Sequence, residues 1–242
     1  MARFKKLQTV GLGATALLSL SVLAPMCGAQ ETTQSTAPKG AVVLFSGKAE
    51  EIQKNWLRGG STEPSAWKVQ DGAAVAGGGN MVSREKFDNC QIHVEFRVPY
   101  KPEAKGQARG NSGVYIQGRY EIQVLDSFGI DVPGKGDCGA VYNQAAPLVN
   151  ACKPPHEWET YDILFRAPRV DANGQVTEKA RVTILLNGTV IQNNQEIQGP
   201  TGGAMDPDVT KPGPLLLQDH GNPVEYRNIW ILPLPTEGSS KY

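Results

Sequence analysis

The sequence predicts an all-β fold, a two-sheet sandwich of the jelly-roll kind, on three observations. Apolar and polar residues alternate in short runs, which is the period-two signature of strands. No long stretch carries the 3.6-residue period of a helix. Turn formers punctuate the runs, with 27 glycines and 17 prolines in 242 residues. About a dozen short strands separated by such turns suit two packed antiparallel sheets rather than helical layers.

The elements follow in order. Gly40 to Phe45 reads as a first strand, and Ala49 to Trp56 as the one helix candidate, one or two turns long. Trp67 to Gln70 and Ala73 to Val75 flank Asp71-Gly72; this dipeptide tolerates the positive φ of a tight hairpin. Met81 to Ser83 is a brief strand. Cys90 to Val98 alternates cleanly, with Ile92, Val94 and Phe96 on one face and His93, Glu95 and Arg97 on the other. Two further runs meet at Gly118: Asn111 to Gln117, and Arg119 to Ser127. In the second, Tyr120, Ile122 and Val124 share a face opposite Glu121 and Gln123. Thr160 to Arg166 alternates again, and Arg181 to Leu186 with Thr189 to Gln192 forms a hairpin around Asn187-Gly188. Leu215 to His220 and Val224 to Leu232 complete one domain over residues 40–235.

The flanks read differently. Arg3, Lys5 and Lys6 precede an apolar run from Val10 to Ala24, and Cys27-Gly28-Ala29 offers small residues for cleavage. Residues 1–29 are therefore expected to be a secretory signal peptide, leaving a soluble, exported protein. Ala24-Pro25-Met26 ahead of Cys27 is a poor lipidation signal, so anchoring as a lipoprotein is disfavoured. Residues 30–39 read as a flexible tether and 236–242 as a tail.

Charge and cysteine content narrow the function. The chain has 24 basic and 24 acidic residues and no basic stripe, which argues against nucleic acid as a partner. No paired Cys or His spacing of the zinc type occurs, no cofactor is required, and a divalent metal has no supporting motif. Cys138 and Cys152 flank a short loop, and a disulfide between them would add roughly 3 kcal/mol in the chain-entropy view. Cys90 at the head of a strand reads as a small buried hydrophobe.

A set of short motifs then carries a family likeness. They begin with Leu44-Phe45-Ser46-Gly47-Lys48, Trp67-Lys68-Val69-Gln70-Asp71-Gly72 and His93-Val94-Glu95-Phe96-Arg97. Asn111-Ser112-Gly113-Val114-Tyr115 and Tyr120-Glu121-Ile122-Gln123-Val124-Leu125-Asp126-Ser127 follow. Gly139-Ala140-Val141-Tyr142, Trp158-Glu159-Thr160-Tyr161, Leu186-Asn187-Gly188, Leu217-Gln218-Asp219-His220-Gly221 and Tyr226-Arg227-Asn228-Ile229-Trp230 close the series. In this order and spacing the chain resembles the 3-keto-disaccharide hydrolase family, formerly a domain of unknown function, over about Val43 to Pro233. The resemblance implies a concanavalin-like jelly roll and cleavage of glycosides already oxidised to a ketone at sugar carbon 3. Ser46 stands where the family pattern has Asn or Asp.

A 3-keto group acidifies the hydrogen on carbon 2, so such chemistry needs a base, a donor for the enolate oxygen and an acid for the leaving group. Glu121, Asp126 and Glu95 are the candidate carboxylates, and His220 can serve in either protonation state. Arg97 and Arg227 are candidates to steady the enolate, and Asn111, Gln123 and Gln218 to hold sugar hydroxyls. Tyr115, Tyr142 and Trp158 are candidates to bind or stack on the sugar. Strand parity suggests that these residues converge on one sheet face.

Three other readings compete. Glu121-Ile122-Gln123-Val124-Leu125-Asp126 is similar to the carboxylate strand of laminarinase-type retaining glycosidases, in which a bulge aligns the outer acids. A non-catalytic carbohydrate-binding module would use the same face, and a cell-surface adhesion module would bind through its loops. Oligomeric state is left open.

Overall fold

Contacts divide the chain into two units, Met1–Thr33 and Gln34–Tyr242. The computed structural model describes Met1 and residues 36–235. The expected leader beyond Met1, with Cys27, most of the tether and the tail lie outside the described residues.

The strands are β1 (Val42–Phe45), β2 (Trp56–Arg58), β3 (Lys68–Gln70), β4 (Ala73–Val75), β5 (Met81–Phe87), β6 (Cys90–Arg97), β7 (Ser112–Ile116) and β8 (Tyr120–Val124). They continue as β9 (Glu159–Arg166), β10 (Arg169–Val170), β11 (Val176–Glu178), β12 (Arg181–Leu186), β13 (Thr189–Glu196), β14 (Gly213–Leu217) and β15 (Glu225–Pro233). The helix α1 spans Ala49–Asn55. Its acidic first turn (Glu50, Glu51) and Lys54 in the last turn complement the helix dipole, and Ile52 seats it on the core. A single 3₁₀ turn covers Gly106–Ala108.

Two sheets form the sandwich. The larger runs β13-β12-β9-β6-β15-β4-β3, with β1 also on β15; the smaller runs β2-β5-β14-β7-β8. β10 and β11 form a separate ribbon. Three hairpin turns explain the local register. Asp71 and Gly72 have φ of 49° and 76°, and Asn187 and Gly188 have φ of 53° and 81°, so both two-residue turns match the twist of their strands. Gln117 and Gly118, at 54° and 65°, open the three-residue turn between β7 and β8.

Between the sheets lies one apolar core. Ile92, Val94 and Phe96 of β6 and Tyr161, Ile163 and Phe165 of β9 meet Val114, Ile116, Tyr120, Ile122 and Val124 of β7 and β8. Fully burying each such side chain contributes roughly 1.5–3 kcal/mol. Two sets of polar groups inside are paired across the sandwich, as buried groups tend to be. Ser112 Oγ donates to the Gln218 carbonyl at 2.6 Å and lies 2.6 Å from the Tyr226 hydroxyl of the other sheet. Tyr161 donates across to the Gln123 carbonyl at 2.6 Å. These bonds tie β7 and β8 to the larger sheet from beneath.

One expectation needs correction. Cys138 and Cys152 are free thiols, not a disulfide, as is Cys90. The short loop does bring the two thiols near enough that Cys138, together with burial, pushes the Cys152 thiol up. Cys138 Sγ is also held 3.1 Å from the Tyr161 hydroxyl, so its sulfur is engaged by that phenol. Burial and nearby Asp88 push the Cys90 thiol up to about 12, which keeps it protonated and inert, as its strand position implied.

Candidate functional site

Because Ile122 and Val124 fill the core, Glu121 and Gln123 project from the outer face of the smaller sheet. The same parity sends Gly113 and Tyr115 of β7 and Gln218, just beyond β14, to that face. Every residue of β7 and β8 is nonetheless buried. Loops cover the face and leave a cleft of about 270 Å³ lined by Gln107, Asn111, Tyr115, Glu121, Gln123, Tyr142, Gly202, Gly203, Gln218 and His220.

Each wall has a local cause. The Thr201–Asp206 loop is fastened to the β7–β8 turn: Thr201 N–H donates to the Arg119 carbonyl at 2.9 Å and Met205 N–H to the Gly118 carbonyl at 2.8 Å. Asp206 pairs with buried Arg119 at 2.8 Å. Thr201 Oγ1 then accepts the Glu121 N–H at 2.9 Å. Opposite, Asp219 accepts the Gly79 N–H at 2.9 Å and donates its own N–H to Asn80 Oδ1 at 2.9 Å, which positions His220 at the rim. Tyr142 N–H donates to the Glu121 carbonyl at 3.1 Å, bringing that phenol to the cleft.

Glu121 is the carboxylate of this cleft. It is 4% exposed, and burial pushes its carboxyl up to about 7, the neighbouring Tyr115 hydroxyl pulling the other way. Burial and the adjacent Glu121 charge raise the Tyr115 phenol above its ordinary value, so it stays a neutral hydroxyl. A carboxyl near 7 beside a neutral phenol can take up and return a proton at neutral pH.

Seven of the sequence-derived candidates thus meet: Asn111, Tyr115, Glu121, Gln123, Tyr142, Gln218 and His220. Five do not. Asp126 lies past the end of β8, and its Oδ2 accepts from Arg109 at 2.7 Å. The β7–β8 register runs without a shift from Ser112↔Val124 to Ile116↔Tyr120, so no bulge in that ladder swings Asp126 round beside Glu121. We expect Asp126→Asn to lower stability by roughly 1–3 kcal/mol while kcat stays within about threefold of wild type. Thermal unfolding beside steady-state kinetics checks both.

Glu95, Arg97 and Arg227 sit on the outer face of the larger sheet, across the sandwich from the cleft. β6 and β15 are neighbours there. Arg227 Nε donates to Glu95 Oε2 at 2.6 Å, and Arg97 pairs with Glu225. Both guanidinium groups stack on Trp158, the fifth, at 4.8 and 4.0 Å. His93, 1% exposed, lies 2.7 Å from Asp162 Oδ1 and stacks on Trp230 at 5.0 Å. This is a paired network with every charge answered.

That network predicts a pH window of stability. Burial lowers His93, but its bonds to Asp162 and Glu95 outweigh this and raise it overall. Its contribution is complete below about 6.5 and is lost as pH rises through the raised value. Burial raises Glu95, but His93, Asn228 and Arg227 hold it at about 2. Its contribution is complete above about 4.5 and is lost as pH falls toward about 2. The destabilisation caused by Glu95→Gln should therefore be largest between about pH 4.5 and 6.5, at roughly 1–3 kcal/mol. Tm measured across pH for both proteins reads this directly.

Sequence reasoning missed Gln107, Thr201, Gly202 and Gly203. The Gly-Gly pair signals a loop, but no local pattern says where that loop lands. Among the described residues, no cluster of three or more His, Cys, Asp or Glu side chains is placed to hold a metal ion.

A family profile described as the 3-keto-alpha-glucoside-1,2-lyase-like domain matches residues 40–232. Among solved structures, the chain is similar to a candidate glycosyl hydrolase from Parabacteroides distasonis ATCC 8503, with 38% identity and a TM-score of 0.74 over 82% of this chain and 86% of that one. A second candidate glycosyl hydrolase from that organism shares the fold at 20% identity and a TM-score of 0.59, over 81% and 95% of the two chains. No curated protein matches.

Proposed function

Because this chain belongs to the 3-keto-alpha-glucoside-1,2-lyase-like family, we propose that its Glu121 cleft cleaves 3-keto-glycosides by elimination. The observation that carries the reading is a buried carboxyl near pKa 7 on the floor of a polar cleft. Ionised Glu121 removes the proton from sugar carbon 2. The C–H electron pair becomes a carbon 2–carbon 3 double bond, and the carbonyl electrons move onto the ketone oxygen. When this enolate collapses, the electrons return and the bond from carbon 1 to the glycosidic oxygen breaks. The departing oxygen of an α-glycoside lies on the opposite ring face and takes its proton from water, while Glu121 returns the carbon 2 proton to solvent, leaving an alcohol and an unsaturated keto-sugar. Addition of water across carbons 1 and 2 then completes a net hydrolysis. His220 and Tyr142 are the donors that stabilise the enolate oxygen.

Ordinary retaining hydrolysis is less well supported. It wants two carboxyl groups about 5–5.5 Å apart, whereas Glu121 is the carboxylate that lines the cleft. The leader-like N-terminus would carry the protein out of the cytoplasm, toward extracellular or periplasmic glycosides.

Turnover of 3-keto-trehalose by the purified protein tests the proposal. Release of free keto-sugar or its unsaturated precursor is the expected result. Binding by calorimetry without turnover would instead mark a carbohydrate-binding module, and neither would point to the adhesion reading.

A further inference from the structure

Two residues of the cleft wall hold buried hydrogen-bond acceptors that the protein itself leaves unanswered, and their orientation is fixed. Asn111 is 2% exposed, and its Nδ2 donates to the Gln107 backbone carbonyl at 2.9 Å and to Gln107 Oε1 at 3.1 Å. A backbone carbonyl only accepts, so the amide cannot be turned round. Asn111 Oδ1 is left buried without a partner. Gln218 is fixed by the same logic. Tyr115 has one proton, shared between the Gly202 carbonyl at 2.9 Å and the ionised Glu121 carboxylate, neither of which can donate, so its oxygen accepts from Gln218 Nε2 at 3.1 Å. Gln218 Oε1 is likewise buried and unpartnered.

Gln123 makes the contrast. Its Nε2 donates to Gln107 Oε1 at 2.8 Å, and its Oε1 accepts the Val124 N–H at 3.1 Å. That side chain is structural lining with both ends committed. Gln107 thereby organises the wall, since its Oε1 receives both Gln123 and Asn111.

We infer that Asn111 Oδ1 and Gln218 Oε1 each accept a hydrogen bond from a ring hydroxyl of the keto-sugar, so that the ketone oxygen faces His220 and Tyr142. This inference rests on the cleft being a keto-glycoside site and deepens it. A ketone, ring or glycosidic oxygen has no proton and cannot satisfy an acceptor; a hydroxyl can. Glu121, ionised, adds a third acceptor on the same surface. His220 and Tyr142 line the cleft with donors to offer, which suits the oxygen on which negative charge develops. The substrate class is thus a 3-keto-glycoside with two free hydroxyls on the oxidised ring. A buried acceptor left unmatched is costly, so the site rejects analogues that lack either hydroxyl.

The test pairs ligand and protein changes. kcat/KM is measured for a 3-keto-glucoside and for its mono-deoxy analogues, with wild type, Asn111→Leu and Gln218→Met. Wild type should lose roughly 10- to 100-fold at two ring positions. Each variant should lose a similar factor on the full substrate and no longer discriminate at one of those positions, a different one for each. The wild-type analogue series needs no variant, so a misfolded Asn111→Leu does not spoil it. Deoxy analogues all within twofold of the parent would overturn the inference while leaving the activity standing, as would losses in variant and analogue that simply add. No turnover of any 3-keto-glycoside by wild type would remove the underlying reading, and this inference with it.

Discussion

Glu121→Gln should lower kcat/KM for a 3-keto-glycoside by about 10²- to 10⁴-fold, the range that a positioned general base contributes. Substrate affinity and fold should persist, because the amide keeps the shape of the acid. The pH profile gives an independent reading. A base must be ionised, so wild-type kcat/KM should rise with pH through about 7, the value to which burial pushes Glu121. The variant should lose that limb. Stability should move the other way. A carboxyl raised to about 7 from an ordinary 4.5 holds its proton more tightly in the folded state. Its ionisation therefore costs stability progressively as pH rises from about 4.5 through about 7. Removing that cost should make Glu121→Gln more stable than wild type at pH 8, by of the order of 1–3 kcal/mol. An inactive variant with a lower Tm at pH 8 would indicate a structural carboxylate and sink the assignment.

Gly113→Ala should lower kcat by at least about tenfold, since displacement of a reacting group by about 1 Å can cost 10²-fold. Gly113 lies on β7 opposite Gln123. A Cβ there would come within 2.8 Å of Glu121 Oε1 and 2.9 Å of the Tyr115 ring. Both atoms belong to side chains, so the fold can yield, but what yields is the base and the phenol beside it. The stability cost should stay within the roughly 1–3 kcal/mol of local overpacking. Kinetics and thermal unfolding on one preparation separate the two effects. Full activity in Gly113→Ala would show that Glu121 works from another position.

Much of this was legible in the chain, and the limits have physical causes. Asp71-Gly72 and Asn187-Gly188 announced their hairpins because few residues accept positive φ at both turn positions. Alternation placed Glu121 and Gln123 opposite the core, since a strand has no other way to hide Ile122 and Val124. The same alternation suggested that Glu95, Arg97 and Arg227 join them, and there it failed. Parity fixes which side of its own strand a residue takes, not which sheet the strand enters. β6 pairs with β15 and β9, and β8 pairs with β7, so the two polar sets face outward on opposite sides of the sandwich. Cys138 and Cys152 were rightly expected to be neighbours, but loop length says nothing of the Tyr161 hydroxyl that occupies Cys138.

The sequence by itself determined the all-β class, the hairpins, the family and the side of β8 from which Glu121 projects, because each follows from local backbone preference or from short motifs in a fixed order. Tertiary structure alone decided that this side would be a cleft. Thr201, Gly202 and Gly203 arrive from a loop about eighty residues further along the chain, and Gln107 from a turn before β7. By excluding water, that cover lifts Glu121 to about 7 and leaves Asn111 and Gln218 with oxygens awaiting a donor. Reactivity here comes from desolvation, and desolvation depends on which distant segments close over a residue.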